Sequence, residues 1–413
     1  MSDRAAFVII GGGQAAAQLA QSLRKGGYAG RLVMIAEEGL APYQRPPLSK
    51  AYLAGNLSAE RLALLKPAQI EKLGLEMIYD SAQAIDTGAK TVSLKNGDPL
   101  IYQTLFLATG ATVRPLTITG AGLDGVFYMR SKADADALKV ALDNFSRMVV
   151  IGGGFIGLEA AAVLRKMGKS VTVIEMADRL MARAISPELS AAFLTKHQNE
   201  GVDVRLGAVA ASIGGSTRVE HVKLESGDTI AADLVIAGIG VVPEVSIAAD
   251  AGLETADTAP GGIMVGPDMR TSNADIFACG DNTVFTSRFF PRPLRLESVQ
   301  NAIDQAKVAA AAALGGAANY EDVPWFWSDQ FDWKLQIAGL WRPGLKAYRR
   351  GSPETGKGSF LHYDKDTLVA VESVGAPGDH TGARKLLAAE VSPSPTHACN
   401  LDHKLIRLIS AEA

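Results

Sequence analysis

The chain has 413 residues, 47% of them apolar and 21% charged, which is ordinary for a soluble protein of roughly two to three domains. Its 41 Lys and Arg against 44 Asp and Glu give a net charge of −3, so the strong basic excess of a nucleic-acid-binding protein is absent. Two cysteines exclude a disulfide scaffold, and no apolar run reaches the ~18 residues of a membrane span. We therefore expect a soluble, cytoplasmic protein with no membrane or nucleic-acid partner. A core strand from about Phe7 would leave no room for a signal peptide.

The first elements form one recognisable unit. The apolar run Phe7–Ile10 predicts a buried parallel strand, and it leads into the turn Gly11-Gly12-Gly13-Gln14-Ala15-Ala16. An amphipathic helix is predicted over Ala15–Lys25, followed by a second strand over Arg31–Ala36. Glu37 closes the unit.

The same order recurs further along the chain. Met148–Ile151 predicts a second buried strand, and it leads into Gly152-Gly153-Gly154-Phe155-Ile156-Gly157. A helix over Ile156–Met167 and a strand over Ser170–Glu175 follow. The internal repeat is therefore a strand, a G-x-G-x-x-G/A turn, a helix, a strand and an acid, occurring twice.

This pattern is typical of dinucleotide-binding units. The first glycine permits the tight turn, the second lets the backbone approach a pyrophosphate, and the third small residue lets helix and strand pack closely. The helix N-terminus offers free N–H groups and partial positive charge to the phosphates, and the acid can bind a ribose hydroxyl. Glu175 would repel a 2′-phosphate, and Met176 and Ala177 supply no cation, so we expect NADH over NADPH.

Five further segments carry a resemblance to a known family. They are Arg45–Lys50 (RPPLSK), Leu105–Gly110 (LFLATG), Thr271–Asp281 (TSNADIFACGD), Glu297–Ala302 (ESVQNA) and Trp325–Gln330 (WFWSDQ). With the two glycine turns, they resemble the FAD-dependent pyridine nucleotide reductases. Within that family the sequence is most similar to the putidaredoxin reductase-like NADH:ferredoxin reductases of bacterial oxygenase systems.

The resemblance implies an α/β fold with two Rossmann-like domains, glutathione reductase-like in arrangement, and a C-terminal α+β interface domain. We expect a discontinuous FAD-binding domain over residues 1–115 and 246–321, an NADH-binding domain over 116–245 and the C-terminal domain over 322–413. A tightly but non-covalently bound FAD and NADH as co-substrate are the implied cofactors.

The predicted FAD-binding residues come from the first glycine turn, the quoted segments and single positions matched to the family. They are Gly11, Gly13, Ala15, Ala16, Glu37, Arg45, Pro46, Lys50, Ala82, Ala108, Thr109, Gly110, Arg130, Gly280, Asp281, Glu297, Ser298, Val299 and Trp327. We interpret Asp281 as a carboxylate at a strand end, just before a helix, that binds the ribityl chain. Its alternative is a simple helix N-cap.

The predicted NAD-binding residues lie on the second unit and the strands beside it. They are Gly152, Gly154, Phe155, Ile156, Gly157, Glu159, Glu175, Arg183 and Gly240. Gly238-Ile239-Gly240 follows the strand Leu234–Ala237 and corresponds to Thr109-Gly110 in the first unit. A surface position remains the alternative for Arg183, as it does for Arg130.

Three residues are predicted to be catalytic. The resemblance implies that Lys50 lies beside the reactive end of the isoalloxazine and that Glu159 lies near both the nicotinamide amide and Lys50, so we expect a Lys50–Glu159 ion pair. Trp327 is expected against the cofactor site. The alternatives are a solvated lysine, a carboxylate in the first turn of a helix favoured by the dipole, and a core tryptophan, which applies still more to Trp325.

The cysteines narrow the chemistry. Cys279 lies in an apolar strand segment and Cys399 far from it, so neither a paired dithiol nor a cysteine after the first unit is present. Electrons must then leave directly from the flavin. The turn GSPETGKG at Gly351–Gly358 lacks the hydroxyl of a phosphate loop and predicts a β-hairpin. His397, Cys399 and His403 lack a fourth ligand, so no metal site is predicted.

The predicted function is transfer of a hydride from NADH to FAD N5 and of single electrons to a [2Fe–2S] ferredoxin, feeding a ring-hydroxylating dioxygenase or cytochrome P450 in aromatic hydrocarbon catabolism. Alternatives are a rubredoxin or quinone reductase, or an apoptosis-inducing-factor-like NADH-binding flavoprotein with a signalling role. The protein is expected to be a monomer or homodimer. Two basic stretches could dock an acidic ferredoxin: Ser287–Arg295, with Arg288, Arg292 and Arg295, and Arg342–Arg350, with Lys346 and Arg349.

Overall fold

The computed structural model describes residues 5–256, 259 and 261–410. Its α-helices are α1 Gln14–Lys25, α2 Pro67–Lys72, α3 Lys132–Leu142, α4 Phe155–Lys166, α5 Pro187–Asn199, α6 Ser246–Asp250, α7 Val299–Ala313, α8 Pro377–Ala388 and α9 Pro395–Cys399. Short 3-10 helices cover Pro46–Ser49, Ala59–Leu62, Pro353–Thr355 and Leu405–Ser410.

The strands are β1 Ala6–Ile10, β2 Leu32–Ile35, β3 Leu75–Ile78, β4 Ala82–Asp86, β5 Thr91–Leu94, β6 Leu100–Leu107, β7 Ala111–Val113, β8 Val126–Tyr128, β9 Arg147–Ile151, β10 Ser170–Glu175, β11 Asp203–Leu206, β12 Ala210–Gly214, β13 His221–Leu224, β14 Thr229–Ala231, β15 Leu234–Ala237, β16 Val241–Pro243, β17 Thr255–Ala256, β18 Gly262–Met264, β19 Ile276–Ala278, β20 Thr283–Ser287, β21 Phe290–Leu294, β22 Trp325–Gln330, β23 Trp333–Gly339, β24 Lys346–Ser352, β25 Lys357–Asp364 and β26 Thr367–Val374.

The chain divides into two compact units. Unit 1 comprises the residues up to Arg45, Ala59–Thr112 and Val242–Asp322; unit 2 comprises Pro46–Ser58, Val113–Val241 and the residues from Val323 onward. The segment Pro46–Ser58 therefore packs within unit 2, although the sequence analysis placed it in the FAD-binding domain. The assignment of chain segments to the two cofactors stays a prediction.

The main sheet of unit 1 is mostly parallel. Its order is β3-β2-β1-β6, with β19 beside β6 in parallel and β5 and β4 added as an antiparallel extension. All five residues of β1 are buried, as expected for a central parallel strand covered on both faces. Helix α1 packs against α7 through its alanine- and leucine-rich face, which follows from the periodicity seen in the sequence.

Unit 2 contains a five-stranded parallel sheet of order β11-β10-β9-β15-β8. Central strand β9 is buried from Met148 to Ile151 between β10 and β15. In both units the glycine turn leaves the carboxyl end of the central strand, where a crevice between neighbouring strands opens in sheets of this kind.

The last part of unit 2 forms an antiparallel sheet of order β22-β23-β26-β25-β24, covered by α8 on β23 and β26. This confirms the predicted C-terminal α+β architecture. It also confirms the hairpin predicted around GSPETGKG, because β24 and β25 pair antiparallel across Pro353–Thr355.

The predicted local environment of Asp281 is wrong. Asp281 is followed by strand β20, whose sequence TVFTS is β-branched and aromatic, and the next α-helix starts only at Val299. Asp281 therefore caps no helix. Glu159 was expected on the first turn of its helix; it is the fifth residue of α4, which begins at Phe155, and it is buried there. The dipole of the first turn alone does not explain it.

Candidate functional site

The first glycine turn, in unit 1, has the backbone geometry of a dinucleotide cradle. Gly11 has φ +128°, and a Cβ there would lie 2.2 Å from the carbonyl oxygen of Ala108. Gly13 precedes α1 with open space around its Cβ position, and α1 has no side-chain cap. The first N–H groups of α1 are therefore left for a ligand, and their partial positive charge suits a diphosphate. These residues fit FAD.

Acidic side chains follow β2. The exposed Glu37 carboxylate accepts a hydrogen bond from the Ser81 hydroxyl at 3.0 Å, so it lies at the surface where a ribose hydroxyl could bind. Arg45, another predicted FAD-binding residue, forms an ion pair with Glu38 and contacts Tyr43 at 3.1 Å. Ala82 starts β4 just after Ser81.

The last segment of unit 1, which contains Gly280, lies against the first glycine turn. Gly280 lies against the Cβ of Ala15, with 3.4 Å between that atom and the Cβ position of Gly280. Thr109 is held by its own hydroxyl, which donates to the carbonyl of Glu244 at 2.6 Å. The structure thus brings together two predicted FAD-binding positions from distant parts of the sequence.

Two buried side-chain amides that the sequence analysis did not single out hold this segment in place. The Asn282 amide donates to the Leu107 carbonyl at 3.1 Å and to the Thr109 hydroxyl at 2.9 Å. The Gln305 carbonyl oxygen accepts from the Gly280 N–H at 2.7 Å and from the Thr283 hydroxyl at 2.9 Å. The sequence signal was their position next to quoted motifs.

The ESVQNA segment starts α7. The Ser298 hydroxyl is the N-cap and accepts from the Asn301 N–H at 3.0 Å, and Val299 is the first helical residue. Glu297 pairs with Arg295 at 2.7 Å, and Arg295 also donates to the Asp281 carbonyl at 3.0 Å. Ser298 has a structural role; its predicted role in FAD binding, like that of Glu297, stays a prediction.

The second glycine turn, in unit 2, repeats the geometry of the first. Gly152 has φ +111°, and a Cβ there would lie 2.4 Å from the Gly238 carbonyl oxygen. Gly154 precedes α4 with open space around it and no side-chain cap. Gly157 is needed within the helix, because a Cβ there would lie 2.2 Å from the Gly152 carbonyl oxygen. These residues fit a second dinucleotide.

Glu175 ends β10 beside this turn. One carboxylate oxygen accepts from the Gly153 N–H at 2.6 Å and the other from the Ala177 N–H at 2.8 Å. The backbone therefore orients a negative charge at the place expected for the ribose. Arg183 lies near Gly240, whose Cβ position is 3.6 Å from the guanidinium, so these two predicted NAD-binding residues meet.

A buried carboxylate with three hydrogen-bonding partners lies at the start of α4. The Lys50 ammonium is 2.9 Å from Glu159 Oε1, which confirms the predicted ion pair. The Ser328 hydroxyl donates to the same oxygen at 2.7 Å, and the Ser49 hydroxyl donates to Oε2 at 3.0 Å. Burial raises the pKa of Glu159, and Lys50, Ser328 and Ser49 oppose that rise.

Aromatic side chains also lie on strand β22, the strand that carries Ser328. The Phe326 ring lies 4.5 Å from the Phe155 ring on α4, and the Trp325 and Trp327 rings are 5.5 Å apart. Trp327 is half-buried, and Arg384 lies over Trp325. Arg130 follows β8, and its backbone N–H donates to Asp134 at 3.1 Å.

The thiols are unsuited to electron relay. Cys279 is fully buried, and burial raises its pKa to about 12, so its thiol stays protonated. Cys399 is half-buried and likewise free. Within the part of the chain that the structure describes, no cluster of His, Cys, Asp or Glu could hold a metal ion. No helix among those residues is long and apolar enough to cross a membrane.

The sequence matches the family described as pyridine nucleotide-disulphide oxidoreductase over residues 5–309. The chain belongs to this family. Residues 325–409 also match the description reductase C-terminal. Family membership implies FAD and NAD(H) as cofactors, which agrees with the two glycine turns.

Relatives within the family span nearly the whole chain. The chain is 43% identical to rhodocoxin reductase of Rhodococcus erythropolis, covering 97% of this chain and 93% of the relative. It is 41% identical to a ferredoxin–NAD(P)+ reductase of Sphingomonas sp., covering 94% of each. The crystal structure of the ferredoxin reductase for the CYP199A2 system from Rhodopseudomonas palustris superposes with a TM-score of 0.94 at 40% identity, covering 99% of this chain and 100% of that one.

Proposed function

We propose that this chain is an NADH-dependent ferredoxin reductase that supplies electrons to a bacterial ring-hydroxylating dioxygenase or cytochrome P450. The observation that carries the proposal is the pair of glycine turns combined with the absence of a dithiol from the sequence, whose two cysteines are far apart. Full-length similarity to reductases named for ferredoxins and for a P450 system supports the same acceptor class.

Bound FAD would accept a hydride from NADH and release electrons singly to a [2Fe–2S] ferredoxin. The chain's own residues would hold this cofactor at its diphosphate through the first N–H groups of α1, tightly but without a covalent bond. Gly280, Asp281 and Thr109 would bind further along it. The proposed site extends to the other FAD-binding residues predicted from the sequence.

The second cofactor would bind at α4. The open N-terminus after Gly154 would take the pyrophosphate, and Glu175 would accept hydrogen bonds from a ribose with a free 2′-hydroxyl. Glu159 would orient the nicotinamide amide, and Lys50 would place a positive charge that favours an anionic reduced flavin. Trp327 is proposed to lie against the flavin.

The structure favours one of the two basic stretches for ferredoxin docking. In the Arg342–Arg350 stretch, Arg350 is buried and bound to Asp379, and Arg342 and Arg349 pair with acids, so Lys346 is the exposed cation of that stretch outside these pairs. Arg288 and Arg292 are exposed on the hairpin of β20 and β21. We propose this hairpin as the docking surface for an acidic partner of a cytoplasmic monomer or homodimer.

The test uses the FAD-loaded protein. NADH should bleach the visible flavin absorbance under anaerobic conditions, and reoxidation should be slow in air and much faster with an added [2Fe–2S] ferredoxin. Rubredoxin and a soluble quinone are the comparison acceptors. Faster turnover with either of them, or a long-lived reduced form that no protein acceptor reoxidises, would contradict the proposal.

A further inference from the structure

Strand β22 has an unusual polar inner face. Alternation along the strand places Phe326, Ser328 and Gln330 on one side, and Phe326 packs against Phe155 of α4. Ser328 and Gln330 are both fully buried. A buried hydroxyl and a buried amide in a strand are costly unless they are hydrogen-bonded, so their partners indicate why they are there.

These partners form one continuous series of hydrogen bonds that ends at the Glu159 carboxylate. The Ser328 hydroxyl donates to Glu159 Oε1 at 2.7 Å, and the Gln330 Nε2 donates to the Ser328 oxygen at 3.1 Å. At the far end, the Gln330 Oε1 lies 2.8 Å from His197 Nε2 on α5. Four side chains from α4, β22 and α5 are therefore linked inside unit 2.

The donors in this series of hydrogen bonds all have the same orientation. Burial lowers the pKa of His197 to about 4, so the ring is neutral at physiological pH. Its Nε2 faces an acceptor and must carry the proton, while Nδ1 has no partner among the described residues. Gln330 then accepts from His197 and donates to Ser328, which leaves the Ser328 proton for Glu159. Each donor points toward the carboxylate, and hydrogen bonds arranged in this way polarise one another.

The turn after β22 holds this geometry. Phe331 has φ +56°, a left-handed conformation rare for an aromatic residue. Lys166 donates to the Phe331 carbonyl at 2.7 Å, and Lys196 forms an ion pair with Asp332 at 2.6 Å. The edge of the His197 ring contacts Phe331. Residues of α4 and α5 thus fix the turn next to Gln330.

We propose that Ser328 and Gln330 are positioning residues that keep the Glu159 carboxylate ionised and fixed beside Lys50. The inference deepens the proposed function, on which it rests for the role of Glu159 toward the nicotinamide. The groups facing Glu159 are Lys50 and Ser49 from the loop and Ser328 from β22, with His197 acting through Gln330. Lys50 is the charged member of this set.

The test is a pH titration of the Glu159 carboxyl carbon by 13C NMR in the FAD-loaded protein, assigned by comparison with Glu159→Gln. Loss of a hydrogen bond to a charged group corresponds to about one to two pH units. Ser328→Ala should raise the Glu159 midpoint by this amount, and Gln330→Leu should raise it by less. Ser328→Cys is nearly isosteric but a weak donor, so it should shift the Glu159 midpoint in the same direction. This second variant keeps the test decisive if the alanine variant fails to fold.

Ser359→Ala is the matched control, because Ser359 is also a buried serine that donates to a carboxylate, that of Asp379 at 3.0 Å. It should leave the Glu159 midpoint unchanged. An unchanged midpoint in both Ser328 variants would overturn the proposal, and an unchanged midpoint in Gln330→Leu would remove Gln330 from it. The titration needs neither NADH nor ferredoxin, so failed ferredoxin reduction with a shifted midpoint would contradict the proposed function alone.

The same variants should also change the pH profile of flavin reduction by NADH. The acid limb of the rate should move to higher pH in Ser328→Ala and stay in place in Ser359→Ala. A uniform fall in rate at every pH would indicate a merely structural role for Ser328 and would contradict the proposal.

Discussion

Removal of the lysine beside Glu159 should destabilise the protein in a way that depends on pH. In Lys50→Met the carboxylate loses its cation, 2.9 Å away, while staying buried with the Ser49 and Ser328 hydroxyls. The methionine retains the apolar stem of the lysine, so the change removes mainly charge. The structure lets us estimate both the size and the pH dependence of the effect.

Breaking a fully buried ion pair by removing one partner costs about 3–5 kcal/mol, whereas an exposed pair contributes about 0–1 kcal/mol. The Glu159 side chain is 5% exposed and that of Lys50 is 18% exposed, so this pair lies near the buried limit. Two hydroxyl donors remain on the carboxylate. We therefore expect a loss of about 2–3 kcal/mol in the free energy of unfolding at pH 8.

The sign with pH follows from the raised pKa of Glu159 in the folded state. A carboxyl whose pKa rises on folding binds its proton more tightly in the folded protein. Its contribution to stability is complete below the unfolded pKa, about 4.3, and declines as pH rises through the folded pKa. Lys50→Met raises the folded pKa further, so its deficit against the wild type should be small at pH 5 and should grow toward pH 8.

Equilibrium urea unfolding, followed by far-ultraviolet circular dichroism at pH 5, 6.5 and 8 with the same excess of FAD, measures this. The double variant Lys50→Met with Glu159→Gln should lose the additional pH dependence. Lys307→Met, which breaks a pair with Asp304 whose lysine side chain is 54% exposed, is the control and should cost under about 0.5 kcal/mol at each pH. An equal deficit for Lys50→Met at pH 5 and pH 8, unrelieved by Glu159→Gln, would refute the reasoning.

The glycine turns, the ribose acid and the buried thiol give three further predictions. Gly154→Ala should fold normally, because its Cβ meets open space, but should raise KM for NADH at least about tenfold. Gly152→Ala should instead destabilise the fold, because its Cβ would contact Gly238. Steady-state kinetics and thermal melting separate the two effects, and an unchanged KM in Gly154→Ala would exclude diphosphate binding at that position. Glu175→Arg should raise kcat/KM for NADPH relative to NADH, and an unchanged ratio would remove Glu175 from coenzyme selection. Cys279→Ala should retain ferredoxin reduction within about twofold at a cost of about 1 kcal/mol in stability, and abolished turnover would mean that the thiol takes part in electron transfer.

The parallel sheets and glycine turns could be predicted because their signals are local. An apolar run such as Phe7–Ile10, short and followed at once by glycines, favours a buried strand over a helix, and φ values above +100° at Gly11 and Gly152 require glycine. Strand β15 has the predicted bounds for the same reason. The prediction of a helix directly after Asp281 was wrong because it was based on the preceding strand alone, whereas the following segment forms a strand as well.

The partners of Glu159 could not be predicted from the residues alone. Ser49 and Ser328 are 110 and 169 positions away in the chain, and a serine in a strand has no local signal for which carboxylate it will meet. Both lie within segments that the sequence analysis quoted for their resemblance. The resemblance implied the pair with Lys50, and the structure adds the hydroxyls and the amide that complete the environment of the carboxylate.

The two glycine turns differ at their third small residue, and the buried acid follows the second of them. The third small residue is Ala16 in the first turn and Gly157 in the second. A Cβ on Gly157 would lie 2.2 Å from the Gly152 carbonyl oxygen and 3.2 Å from a Val150 methyl carbon, so α4 approaches its strand more closely than a side chain would allow. Glu159 follows two residues later and is drawn inside with the helix. A carboxylate so placed needs cations and donors from outside the turn, which the loop at Lys50 and strand β22 provide.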